Sequence, residues 1–186
     1  TLPMNGLTAR LALDKLALQP GQTLAVTGAA GAFGGYVVQL AKADGLQVIA
    51  DASDADVELV RSLGADHVVA RGDDVATRIR AFAPEGVDGL ADGALLHTKA
   101  LAAIRDNGGL AAVRTFPGDS ERGITVHPVW VRDYAYERAK LDRLRQQVEA
   151  GVLTLRVART FAADQAGEAH RTLEAGGTRG RLVIEL

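Results

Sequence analysis

The residues most able to do chemistry form one short run, Gly28-Ala29-Ala30-Gly31-Ala32-Phe33-Gly34, set between an apolar segment and a helical one. Small residues between a strand and a helix let the backbone approach a pyrophosphate, whose charge the unpaired N–H groups at the helix start stabilise. Gly34 would also let the helix pack closely on the strand. The spacing is G-x-x-G-x-x-G rather than G-x-G-x-x-G, so the flanking strand and helix carry more meaning than the glycines alone. A tight strand-to-helix turn with no ligand would use the same residues. Asp51 ends the second apolar run, 17 residues beyond Gly34, close to the spacing of about 20 for an acid that binds a ribose. A carboxylate there accepts hydrogen bonds from ribose hydroxyls and repels a 2′-phosphate, which favours NAD(H). Ser53 follows at once, and Arg71 lies just past the third strand, where a guanidinium could bind a 2′-phosphate bidentately. NADP(H) and NAD(H) therefore both stay open, as do plainer roles: Asp51 as an acid at a helix start, Arg71 as a solvated loop cation.

Other candidates are weaker. Tyr136 and Lys140 spell Y-x-x-x-K, a pair that shares a helix face and in which lysine lowers a tyrosine pKa. The glycine-rich run and the leading helix do not suit the short-chain dehydrogenases that use such a pair, so Tyr136 is expected at a surface helix start. His67, His97, His127 and His170 are scattered without ligand spacing, and no metal site is expected. The absence of cysteine excludes a disulfide scaffold, a thiolate zinc site, a cysteine nucleophile and an iron–sulfur cluster.

These residues must be held by an alternation of apolar runs and helical patterns, which predicts a parallel sheet with crossover helices. Helices are expected over residues 5–18, 33–43, 55–63, 75–82, 95–105, 134–150 and 164–175. Strands are expected over 23–27, 47–50, 67–70, 87–91, 109–114, 124–131, 155–160 and 182–184. On the long helix Leu141, Leu144 and Val148 share one face, while Arg138, Asp142 and Arg145 line another at pairing distance. Asp14 and Lys15 of the first helix are expected to face away from the core. The fold class is α/β, a Rossmann-type doubly wound parallel sheet with helices on both faces. It forms one dinucleotide-binding domain over residues 1–186 with closing elements at its C-terminal end.

Composition agrees: of 186 residues 47% are hydrophobic and 24% charged, which excludes intrinsic disorder. Lys+Arg 21 against Asp+Glu 23 leaves a net charge of −2 without long blocks of either sign, so neither a nucleic acid nor an anionic membrane has a footprint. No apolar run approaches the ~20 residues that span a bilayer. A cytoplasmic protein is expected.

Several spaced motifs together carry a resemblance: Leu2-Pro3-Met4-Asn5-Gly6-Leu7-Thr8-Ala9, the glycine-rich run, Ser62-Leu63-Gly64-Ala65-Asp66, Gly86-Val87-Asp88, and the closing Leu173-Glu174-Ala175-Gly176-Gly177 and Gly180-Arg181-Leu182-Val183. The chain resembles the medium-chain dehydrogenase/reductase superfamily, most closely its zinc-independent quinone oxidoreductases and related enoyl reductases. The resemblance implies NAD(P)H-dependent reduction of a quinone, an enone or another activated C=C or C=O. It implies polar contacts from Asn5 and Thr8 near the nicotinamide and backbone around Val113, Arg114 and Thr115 facing the ring. It puts Asp92 among the cofactor-binding residues, in the turn after the fourth strand, where the family's Asp-Thr-Val-Gly is here Asp92-Gly93-Ala94-Leu95. The lysine such enzymes carry after the second strand is missing from Asp54-Ala55-Asp56-Val57, and Arg71 stands where they have a tyrosine.

The family also places a barrel-like catalytic domain ahead of this stretch, which supplies much of the substrate pocket. The chain is thus expected to be the cofactor-binding portion of a longer reductase, able to bind dinucleotide and poor at turnover alone. Zinc-dependent alcohol dehydrogenases of the same superfamily draw one catalytic ligand from the junction before the cofactor domain. Thr1 to Leu13 offers no Cys, His, Asp or Glu for that role. A non-catalytic redox sensor or subunit would have the same loop chemistry. The strand expected over Ile124 to Val131 contains Pro128, which argues for an edge or bulge. In the resembled family that edge pairs across a homodimer, and the lone Trp130 is then expected to be buried between copies.

Overall fold

A computed structural model describes residues 2–186. Six strands form one parallel sheet: β1 (Thr23–Thr27), β2 (Gln47–Ala52), β3 (His67–Ala70), β4 (Val87–Asp92), β5 (Ile104–Ala112) and β6 (Thr125–Pro128). Their order is β3-β2-β1-β4-β5-β6, the doubly wound arrangement expected from the alternating pattern. The helices are α1 (Leu2–Leu16), α2 (Ala32–Ala43), α3 (Val57–Ser62), α4 (Val75–Arg80), α5 (Thr98–Leu101), α6 (Arg138–Glu149) and α7 (Ala166–Glu174).

The near-continuous apolar character of the strands follows from burial on both sheet faces. Leu24, Val26, Val48 and Ala50 enter one core with α1, α2 and α3. Their neighbours Ala25, Ile49, Leu90 and Leu110 enter a second core with α4 and α5. The expected Leu7–Leu11 stripe of α1 is buried along with Ala9, Ala12 and Leu13, so this helix lies within the first core rather than over it.

Two expected elements come out differently, each for a local reason. The helix expected over 95–105 shrinks to the single turn α5. The Asp92 carboxylate accepts hydrogen bonds from the N–H groups of Leu96 (3.0 Å) and His97 (2.9 Å), and this folds the chain tightly after β4. Leu95 and His97 take left-handed φ values of 59° and 54°, which no helix tolerates. β5 then starts early, at Ile104 opposite Val87, and a register shift at Asn107 (φ 59°) brings Gly109 opposite Gly89. The last two strands, β7 (Val157–Ala162) and β8 (Arg181–Glu185), pair in parallel with each other and do not extend the main sheet. At the sheet's edge β6 stops at Pro128, which has no N–H to offer a further strand. Trp130 therefore lies beyond β6, not within it.

Asp14 and Lys15 do not face away from the molecule. Asp14 accepts hydrogen bonds from Tyr134 Oη (2.6 Å), Lys140 Nζ (2.7 Å) and Arg10 Nε (2.7 Å), which ties α6 and the turn before it to α1. Lys15 donates to the Pro128 carbonyl (2.6 Å) and pairs with Asp133 (3.2 Å). Lys140 also lies 4.6 Å from the centre of the Tyr134 ring, whereas Tyr136 is 95% exposed, so the Y-x-x-x-K spacing makes no catalytic pair. On α6 Leu144 is buried, and Leu141 and Val148 pack beside it. Arg145 pairs with Asp142 and Glu149, while Arg138 makes no ion pair among the described residues.

Burial pushes the Asp14 carboxyl up, but bonds from Lys140 and Tyr134 and the charge of Arg10 outweigh it and hold the group below its ordinary 3.8. The stability it contributes is therefore full above pH 3.8 and is lost as pH falls through the lower folded value. Asp14→Ala is expected to cost about 1 kcal/mol at neutral pH, discounted for partial exposure. Urea unfolding checks this, and the gap between parent and variant closes below that pH.

Candidate functional site

The site grows from the turn between β1 and α2. Gly28 takes φ 66°, and a Cβ there would stand 2.8 Å from the carbonyl carbon of Gly93. A Cβ on Gly34 would stand 2.8 Å from Ala29 Cα and closer still to the Gly28 carbonyl oxygen. Both positions therefore require glycine, and Gly34 does bring the helix onto the strand as expected. Gly31 caps α2 in extended conformation with no side-chain bond to the helix. The first N–H groups of α2 accordingly lack partners within the helix. Across the turn, Gly93 N donates to the Thr27 carbonyl (3.1 Å), and Thr27 Oγ1 donates to Asp92 (2.7 Å). The turn thus sits between β1 and β4, where the strand order reverses.

Asp51 lies in the last part of β2 and is only 3% exposed. Its Oδ1 accepts the N–H groups of Gly28 (2.7 Å) and Ala29 (3.3 Å). Burial raises its pKa above the ordinary value, against the opposing pull of those N–H groups and of Arg71. The carboxylate expected to meet a ribose is thus first of all a brace for the glycine-rich turn.

Two recesses open beside this turn at the carboxyl ends of the strands. The first, about 570 Å³, is lined among others by Gly28, Ala30, Gly31, Asp51, Arg71 and Arg179. The second, about 340 Å³, is lined by Asn5, Thr8, Phe33, Val113, Arg114 and Trp130, with other apolar residues. Most of the expected site residues thus fall into two groups on either side of the turn.

The rest have other work. Ala29 is fully buried, and Ala32 faces Tyr36 and Arg156. Ser53 Oγ donates to Asp56, and Thr115 lines neither recess. Asp92, expected among the cofactor-binding residues, is buried, and Thr27, Leu96 and His97 occupy its carboxylate, so it shapes the loop from within. Thr8 Oγ1 donates to the Met4 carbonyl (2.6 Å). Asn5 Nδ2 is shut off from solvent without a hydrogen-bond partner, an arrangement that costs about 1–3 kcal/mol and is rare in folded proteins.

Sequence reasoning missed two arginines. Arg156, just before β7, donates to the carbonyls of Ala30 (3.0 Å) and Gly31 (2.7 Å) and clamps the turn from the far end of the chain. Arg179, just before β8, forms a two-pronged ion pair with the buried Asp56, in the segment after β2. Both lie more than 100 residues from their partners in sequence, so no local spacing signals them.

Among the described residues no three His, Cys, Asp or Glu side chains converge as metal donors. His67 stacks on Phe82 and His97 meets the edge of Phe116. His127 is partly buried, which together with Lys15 lowers its pKa, and His170 borders a small apolar groove by β8. Among the described residues no helix is long and apolar enough to cross a membrane.

The sequence profile of a family described as zinc-binding dehydrogenase matches residues 63–184. An NAD-dependent alcohol dehydrogenase of Sulfolobus acidocaldarius is 26% identical over 100% of this chain and 56% of its own length. A 2-haloacrylate reductase of a Burkholderia species is 29% identical over 98% of the chain and 61% of its own. Among solved structures, the mycobacterial protein Rv1454c in complex with NADPH superposes with a TM-score of 0.85 at 25% identity. That match covers 98% of this chain and 62% of the other. The chain thus spans about three fifths of the proteins it matches along its whole length.

Asp51→Ala leaves the N–H groups of Gly28 and Ala29 without an acceptor and is expected to cost about 1–3 kcal/mol in urea unfolding. Asp51→Asn, which keeps an oxygen acceptor, is expected to cost less. Arg156→Ala is expected to speed amide hydrogen exchange in the turn at residues 28–34 while exchange in β1 holds.

Proposed function

The chain belongs to the zinc-binding dehydrogenase family of medium-chain dehydrogenases/reductases, and from that premise we propose that it holds the nicotinamide dinucleotide of a reductase. The observation that carries this reading is the pair of recesses flanking a braced glycine-rich turn at the point where the strand order reverses. The turn's open backbone and the unpaired N–H groups of α2 suit a pyrophosphate. The first recess suits the adenosine end and the second the nicotinamide ring. When bound, the cofactor supplies a hydride to an activated C=C or C=O such as a quinone, an enone or a haloacrylate. The chain's own part is placement: Asp51 and Arg156 hold the turn rigid, and Phe33 and Val113 give the ring apolar walls. Zinc does not fit the donor set of the described residues, and no step of this reading runs through it.

Of the two nicotinamide cofactors we favour NADP(H). Asp51 already spends one oxygen on the turn, and Arg71 lines the same recess with no ion-pair partner among the described residues. An arginine there can take a 2′-phosphate through two parallel bonds. Titration of the reduced nicotinamide emission is expected to show tighter binding of NADPH than NADH. Arg71→Ala is expected to weaken NADPH by about tenfold or more, with a smaller change for NADH. Equal affinity of parent and Arg71→Ala for NADPH would remove the preference, and binding of neither cofactor would remove the whole reading.

A further inference from the structure

The second recess has a chemical sign of its own. Its walls are apolar on several sides, with Phe33, Val113 and Val129 among them, and no Asp or Glu lines it. Arg114, just past the end of β5, is the one charged residue in the lining and makes no ion pair or side-chain hydrogen bond among the described residues. Arg132, outside the lining, stands over the face of Trp130, 5.5 Å from the ring centre, and adds positive charge beside it. The nearby Asp133 does not offset it, because Lys15 pairs with it. Asn5 also lines the recess, but its Nδ2 is shut off from solvent and leaves Arg114 as the charged donor there. The first recess, by contrast, sets Asp51 and Asp73 beside its arginines.

We propose that Arg114 is a specificity-determining residue that binds the carboxylate of the acceptor, so that the preferred substrates are small conjugated acids, not neutral quinones or ketones. Arg114 is exposed at the recess, and with no acid in the same lining to compete, its guanidinium offers a carboxylate a two-pronged, charge-assisted contact. A neutral carbonyl in the same place offers one weaker acceptor and no charge. The volume of about 340 Å³ lies within the range of small-molecule sites, which leaves room for a ring and a short acid side by side. The proposal rests on the dinucleotide reading for the chemistry that follows binding, but the carboxylate site itself consists of residues of this chain.

Trp130 is the only tryptophan and lines this recess, so its emission reports binding directly. The probes are butyrate and butyramide, which share a skeleton, carry no double bond to reduce and differ in charge. Each is titrated against the full chain with and without saturating NADPH. The parent is expected to half-saturate with butyrate at a concentration about tenfold or more below that for butyramide. Arg114→Ala is expected to bring that ratio close to one, and Arg114→Lys to restore part of it, since lysine keeps the charge but not the fork. Equal half-saturation for the two probes in the parent, or an unchanged ratio in Arg114→Ala, overturns the proposal. Separate NADPH titration distinguishes the two failures. Acid selectivity without NADPH binding keeps the carboxylate site and sinks the dinucleotide reading, whereas NADPH binding without acid selectivity does the reverse.

Discussion

Backbone packed directly on backbone, at the turn between β1 and α2, is the constraint on which the rest of this structure depends. Gly34 lies over the Gly28 carbonyl and Ala29, and Gly28 lies against Gly93 at the end of β4. No side chain larger than hydrogen fits at either contact, and the close approach leaves the first peptide groups of α2 facing outward. Those N–H groups have no partner within the helix.

Such a turn has few side chains to hold it, and the molecule supplies them from three distant places. Asp51 reaches in from β2 and takes two of the turn's N–H groups. Arg156 reaches in from the segment before β7 and donates to two of its carbonyls. Thr27 and Asp92 lock the facing loop after β4, which the turn packs against. Burial of the Asp51 carboxylate opposes its ionisation, and the N–H groups it accepts offset part of that cost. Arg179 and its buried partner Asp56 repeat the pattern one step outward, tying the C-terminal strands to the rim of the first recess. The two-stranded sheet at the end of the chain is thus more than a closing piece, because its arginines reach the candidate site.

Much of this was readable along the chain. The alternation of apolar runs and helices led to the doubly wound sheet, since a strand covered on both faces must be apolar throughout. β1 and β3 fall where they were expected, residue for residue. The glycine spacing, Asp51 and Arg71 were legible because local turn geometry and the approximate distance to the second strand's end are short-range properties. The helix expected over 95–105 failed because its apolar pattern was real but belonged to a turn and a bulged strand. A buried carboxylate at Asp92, invisible to periodicity, decides that folding. Tyr136 lies at the surface as expected, while Asp14 and Tyr134, from elsewhere in the fold, claim Lys140.

Residue types and their local order were enough for the fold class, the position of the glycine-rich turn and the absence of any thiolate chemistry. These follow from steric limits on the backbone and from hydrophobic periodicity, both of which act over a few residues. Long-range contact alone assigned Asp51 to bracing the turn, joined Arg156 and Arg179 to the site, and collected Asn5, Arg114 and Trp130 around one recess. Groups as many as 126 residues apart meet only once the sheet has set its strand order. Their charges and hydrogen bonds then depend on burial and direction, which spacing along a chain does not encode.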